Sequence, residues 1–157
     1  MKAKLYFEAF SNDKDKLIEV LDKTLYNNIS QFKNFQIIEK KVADPIEKEI
    51  KTPDGKNIKG WSSYLEVYAD FRDFDSLLDF ILFYTPSRID VEDIKEIKIT
   101  AKDEEVKLNR EKINLLLNQI SQAIFTKVTA LANAYIAQIK NPQSQQKPPT
   151  DLKVPKS

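Results

Sequence analysis

The sequence predicts an α+β fold: a four-stranded antiparallel sheet, two helices between its strands, and one long helix near the C-terminal end. Three observations predict it. Period-two alternation marks Lys2–Phe10 and Trp61–Phe71 as half-buried strands. Helix-spaced apolar residues follow each of these strands. From Thr100 to Lys140 a helical pattern runs without Gly or Pro for roughly 40 residues, about 60 Å at 1.5 Å per residue.

In the first strand Ala3, Leu5, Phe7 and Ala9 face one way, and Lys2, Lys4, Tyr6, Glu8 and Phe10 the other. Ser11-Asn12-Asp13 supplies helix caps, and Leu17, Ile18, Val20, Leu21, Leu25, Ile29 and Phe32 form a helical face. Phe35–Val42 reads as a second strand, interrupted at Asp44-Pro45 because Pro cannot donate to a ladder. Ile46–Lys51 reads as its continuation at a sheet edge. Thr52-Pro53-Asp54-Gly55 is a turn, with Pro setting φ and Gly permitting a positive φ.

Trp61–Phe71 is the strongest strand. Trp61, Ser63, Leu65, Val67, Ala69 and Phe71 share one face; Ser62, Tyr64, Glu66, Tyr68 and Asp70 share the other. Asp73 caps a short helix carrying Phe74, Leu77, Leu78, Ile81 and Leu82, which Thr85-Pro86 stops. Ile89 and Val91 suggest a short extended piece, and Ile94–Ile99 a fourth strand. The long helix is expected to start at an N-cap on Thr100, with Asp103, Glu104 and Glu105 in its first turns, where the helix dipole favours acids.

This βαββαβ order is that of the split βαβ, or ferredoxin-like, arrangement. The expected organisation is a ferredoxin-like domain over 1–100, a long helix over 101–140 and a tail over 141–157. The tail holds four of the seven prolines with Gln, Ser and Lys, a composition that predicts disorder.

Composition excludes much chemistry. The chain has no His and no Cys, which removes Ser-His-Asp and Cys-His nucleophiles and side-chain zinc, haem or iron–sulfur ligation. Two glycines are too few for a phosphate-cradling loop or a dinucleotide fingerprint. No cofactor is expected. The net charge of +1 supplies no general attraction to nucleic acid or membrane. No apolar run is long enough to span a bilayer and no signal-peptide core is visible, so a cytoplasmic location is expected.

Two surfaces are candidates for binding. The first is the stripe Ile120, Ile124, Val128, Leu131, Tyr135 and Ile139 on the long helix, accompanied by Ala123, Ala130 and Ala134. A helix this long should outrun the domain that launches it, so the stripe is expected to pair with a second chain, as a homodimer. The second is the outer sheet face, where Tyr6 and Phe10 should lie near Tyr64 and Tyr68.

The aromatic placement, with Leu5–Phe10 and Lys59-Gly60-Trp61, resembles the first- and third-strand motifs of the RNA recognition motif, which implies base stacking. Ser63 and Glu66 stand where that family carries aromatics, and Tyr64 where it carries a small aliphatic. Residues 1–101 hold sixteen Lys/Arg against nineteen Asp/Glu, so the face belongs to an acidic region. Covering of the face by the long helix or by a partner is the other reading.

The stretch Phe74–Ile99, with Tyr84-Thr85-Pro86-Ser87 and Ile89-Asp90-Val91, resembles small uncharacterised archaeal proteins with a ferredoxin-like core. Asp70, Asp73 and Asp75 could bind Mg²⁺, or could serve as helix caps. Tyr84 and Arg88 flank Pro86 and could mark a pocket.

The expectation that follows is a non-enzymatic interaction or regulatory module that self-associates through its long helix. A single-stranded RNA-binding domain is the alternative, and a carboxylate-dependent enzyme the third reading.

Overall fold

In the computed structural model, which describes residues 1–101 and 104–140, the chain is α+β with an antiparallel sheet and a long C-terminal helix. It divides into two compact units, Met1–Ile124 and Phe125–Ser157. The predicted tail, 141–157, lies outside the described residues.

The main sheet has five strands rather than the four expected. They are β1 (Lys2–Ser11), β2 (Phe35–Val42), β3 (Ile46–Lys51), β4 (Asn57–Phe71) and β5 (Arg88–Val91). The order is β2-β4-β1-β5, with β3 also paired to β4, and every pairing is antiparallel. β4 is 15 residues long, enough to hold β2 along Leu65–Phe71 and β3 along Asn57–Ser62. Pro45 lies in the gap between them. There the Ser63 hydroxyl donates to the Ala43 carbonyl at 2.6 Å, which satisfies a backbone group that the broken ladder leaves over.

One face of the sheet carries the helices. The first helical stretch is continuous: α1 (Lys14–Glu19), a π-helical segment Val20–Leu25, and α2 (Tyr26–Ser30). It buries Leu17, Leu21 and Ile29; α3 (Phe74–Tyr84) buries Leu77, Phe80 and Ile81. These pack with Ala3, Leu5 and Phe7 of β1 and Leu65, Val67, Ala69 and Phe71 of β4, the inward sets that alternation predicts. Phe80 sits among five other rings, from Tyr84 at 4.7 Å to Phe7 at 6.3 Å between centroids.

The chain between Val91 and Arg110 departs from expectation. The fourth strand of the main-sheet path is β5, paired with β1, and not Ile94–Ile99. The segment read as that strand belongs to β6 (Glu96–Ala101), which pairs with β7 (Glu104–Asn109) in a separate two-stranded sheet. Thr100 is therefore a strand residue rather than a cap, and Val106 faces Ile99 across the hairpin rather than joining a helical stripe.

The reason is cross-strand chemistry. Ile97 opposes Leu108, and Glu105 lies 3.7 Å from Lys98 across the ladder and 3.8 Å from Lys107 on its own strand. Glu105, which suits a helix N-terminus, also suits a β ladder. α4 (Arg110–Lys140) begins nine residues after Ala101, capped by the Asn109 side chain, which accepts from the Lys112 N–H at 3.0 Å.

The β3–β4 turn is as expected. Gly55 has φ 82°, and its N–H donates to the Thr52 carbonyl at 2.9 Å. Gly60 has a different duty: a Cβ there would lie 2.6 Å from both the Phe10 ring and the Ser11 carbonyl oxygen. The Phe10 ring covers the bare glycine backbone. Gly60→Ala should destabilise by about 1–3 kcal/mol, because backbone of β1 must move to admit the methyl. Gly55→Ala meets open space and costs only its positive φ, about 1 kcal/mol. Urea unfolding of the two variants should rank them in that order; the reverse ranking would show that β1 yields at no cost.

Candidate functional site

α4 first meets the sheet at its β5 edge. β5 pairs with β1 on one side only, so its other side presents unpaired N–H and C=O groups. Asn114 and Asn118 take them. The Asn118 side chain accepts from the Ile89 N–H at 2.8 Å and donates to the Ile89 carbonyl at 2.7 Å. Asn114 accepts from the Val91 N–H at 2.8 Å and donates to the Asp90 carboxylate at 3.0 Å. The Ser121 hydroxyl donates to the Pro86 carbonyl at 2.6 Å.

The spacing explains the fit. Four helical residues rise about 6 Å, close to the roughly 6.6 Å between alternate residues of a strand. Ile113 and Leu117, on the same side of α4, are buried in the core. Ile120 and Ile124, placed by the sequence in the partner-binding stripe, are half-buried. The two asparagines and the serine went unnoticed in the sequence. Their signal is polar residues at i, i+4 and i+7 bordering an apolar face.

Further along the same helix the character changes. Phe125, Val128, Leu131, Tyr135, Ile136 and Ile139 are all exposed, Leu131 to 71% and Tyr135 to 65%. Four of them belong to the predicted stripe; Phe125 and Ile136 add to it. Ala123, Ala130 and Ala134 are exposed as well. No helix among the described residues is long and apolar enough to cross a membrane.

The outer sheet face brings together the aromatics expected there. Tyr6 and Tyr64 are 5.9 Å apart between centroids, and Tyr6, Phe10, Tyr64 and Tyr68 are all half-buried. Each has neighbours on its own face. The Arg88 guanidinium lies 4.9 Å from the Tyr6 ring centre, and the Lys4 ammonium 5.8 Å from that of Tyr68. Lys4 also pairs with Glu92 at 2.9 Å.

Register sets Glu66 between Tyr6 and Lys41, and Tyr68 between Lys4 and Glu39. The result is an alternation of rings and opposite charges. Burial, reinforced by the Glu66 charge, raises the Tyr6 phenol above its ordinary value; burial and then the hydrogen bond with Glu92 do the same for Tyr68. Both phenols stay neutral donors at physiological pH.

The acidic candidates have structural duties. Asp70 accepts from the N-terminal ammonium at 2.7 Å, and that bond holds its carboxyl below the ordinary range. Asp73 caps α3, accepting from the Ser76 N–H at 2.8 Å, the Ser76 hydroxyl and the Arg72 guanidinium. The Ser76 hydroxyl first, then Arg72 and the Ser76 N–H, lower its pKa to about 2. Asp75 lies in the first turn of α3. Among the described residues no group of three or more acids is placed to hold a metal ion.

Tyr84 and Arg88 do not share a pocket. The Tyr84 hydroxyl donates to the Asn28 carbonyl at 2.9 Å, while Arg88 lies over Tyr6. An open groove of about 770 Å³ beside Tyr84, lined by Asn28, Phe32, Asp79 and Phe83, also escaped the sequence reading.

A family model matches residues 2–146 of the chain. The chain belongs to the MJ0538 family. This is an uncharacterised family named after an archaeal protein, in keeping with the resemblance carried by Phe74–Ile99. The match extends over α4 as well as the sheet. Nothing in it relates the chain to the RNA recognition motif. No curated protein and no solved structure matches the chain.

Two expectations follow. Asn118→Leu leaves the Ile89 N–H and carbonyl without partners beside a buried core, at about 1–3 kcal/mol for each group. Thermal unfolding should therefore shift down strongly, whereas Gln119→Leu on an exposed side of α4 should leave it nearly unchanged. Equal effects would mean the β5 edge gains nothing from α4.

The second concerns acid. A carboxylate whose folded pKa is about 2 against an ordinary 3.8 contributes stability that is complete above pH 4 and lost as pH falls towards 2. Asp73→Asn keeps a capping oxygen but removes that titration, so the stability of the variant should fall less steeply over this window.

Proposed function

We propose that the protein is a non-enzymatic interaction or regulatory module that self-associates through the second half of α4. The observation that carries this reading is the run of exposed large apolar side chains from Phe125 to Ile139. Leaving such side chains in water forgoes roughly 1.5–3 kcal/mol for each that a partner could bury. Exposed apolar patches of this kind mark interaction surfaces.

The core is best understood as ferredoxin-like, with β3 as an addition to the four-stranded plan; the strand order β2-β4-β1-β5 supports this. A cytoplasmic location accords with a chain that has no cysteine.

Single-stranded RNA binding by the aromatic face has less support. A phosphate chain would meet Glu8, Glu39, Glu66, Asp70, Asp90 and Glu92, while Lys4 and Arg88 are already committed to rings and acids. No observation favours catalysis by a particular residue.

Light scattering at tens of micromolar tests the proposal. The wild type should have the mass of a dimer. Leu131→Asp should give a folded monomer, because a charge in an apolar seam has no partner. A wild type of monomeric mass at that concentration would overturn the proposal.

A further inference from the structure

We infer that the exposed stripe of α4 is built to pair with itself in reverse: it forms an antiparallel two-helix seam with the same segment of a second copy, centred between Leu131 and Ala132. This rests on the self-association reading and specifies its geometry.

The spacing carries the inference. Val128 and Tyr135 lie equally far from the midpoint between Leu131 and Ala132, and so do Ile124 and Ile139. A twofold axis at that midpoint maps the stripe onto itself, as an isologous interface requires. Val128 then meets the partner's Tyr135, a small side chain against a large one, and Ile124 meets the partner's Ile139. Leu131 meets the partner's Leu131 beside the axis. Alternation of small and large residues is what lets facing layers interdigitate.

Parallel, in-register pairing does the opposite. It sets Tyr135 against the partner's Tyr135 and Val128 against the partner's Val128. It also brings Lys127 level with the partner's Lys127 and aligns the helix dipoles unfavourably.

Period and charge agree with the antiparallel seam. From Leu117 to Ile139 the stripe steps 3, 4, 4, 3, 4, 4. That 11-residue repeat averages about 3.67 residues per turn, so the stripe stays on one side of a nearly straight helix. Between Phe125 and Ile139 there is no acidic residue and a single Lys. A surface so poor in charge offers nothing to a charged partner and is matched by its own copy.

The area is sufficient. Burying Val128, Leu131, Tyr135, Ile136 and Ile139 on both copies removes roughly 1,000 Å² from water at about 100 Å² per side chain, the lower bound for a specific interface.

Cysteine pairing decides the arrangement, since the protein has no cysteine of its own. Val128→Cys and Tyr135→Cys variants of the full chain, one with a size tag, are oxidised mildly at about 100 µM, separately and mixed. In the antiparallel seam the two Val128 positions are about 10 Å apart along the axis, beyond the ~7 Å reach of a disulfide. The mixture should therefore cross-link at least tenfold faster than either variant alone.

Efficient self-cross-linking of each variant alone would establish the parallel arrangement and overturn the inference. So would a wild type that is dimeric by light scattering while the mixture fails to cross-link. A monomeric wild type at the same concentration would instead remove the self-association reading beneath it. Circular dichroism of each variant confirms that these exposed substitutions leave the fold in place.

Discussion

The edge of β5 is the constraint on which the Met1–Ile124 unit depends. β5 has four residues, yet its Ile89 and Val91 are part of the core. A strand so short gains little from one ladder with β1, and its far side would face water with unpaired amides. Proteins usually protect such an edge with charges, bulges or a covering element. Here a helix covers it, and it does so with hydrogen bonds as well as apolar packing. Asn114 and Asn118 each present both a donor and an acceptor, so one side chain can answer both polar groups of a strand residue. An ionised aspartate could only accept and a leucine could do neither.

The same contact explains why so much polypeptide separates β5 from α4. The helix must return to β5 after leaving it, running against it so that Asn114 meets Val91 and Asn118 meets Ile89. The β6–β7 hairpin makes that return, and its Ile97 and Leu108 pack against the core on the way. A helix beginning at Thr100 would have no room for this reversal.

Much of the fold was legible in the sequence because one face of each long element is buried. Alternation in β1 and β4 and the caps at Asp13 and Asp73 depend on local pattern alone, and local pattern found them. The misses are places where two structures satisfy the same residues. Asp103, Glu104 and Glu105 suit a helix N-terminus, but Glu105 also suits a ladder beside Lys98 and Lys107. Val106 lies seven residues before Ile113 and so extends a helical stripe by coincidence. Asn114 and Asn118 look like solvent-facing residues until a strand edge is placed opposite them. Alternation placed the aromatics of the outer face together with Lys4 and Glu66; which ring stands beside which charge depends on register, and Arg88 reaches Tyr6 only through the pairing of β5 with β1.

α4 thus carries one stripe with two compositions. Up to Ser121 the apolar residues Ile113 and Leu117 are accompanied by side chains that bond to backbone, as a helix resting on a sheet edge requires. From Phe125 to Ile139 the large side chains on the stripe are Val, Leu, Tyr and Ile, and none of the positions that continue the Asn114, Asn118 and Ser121 row offers an amide to a strand: Phe125, Thr129 and Ala132 stand there instead. A surface without paired donors and acceptors cannot satisfy another sheet edge, because every amide it covered would be stripped of water for nothing. What it can satisfy is a second apolar surface whose own backbone bonds are already made, and an α-helix is such a surface. The change in composition along one helix therefore separates the contact made within the chain from the surface to which we assign a helical partner.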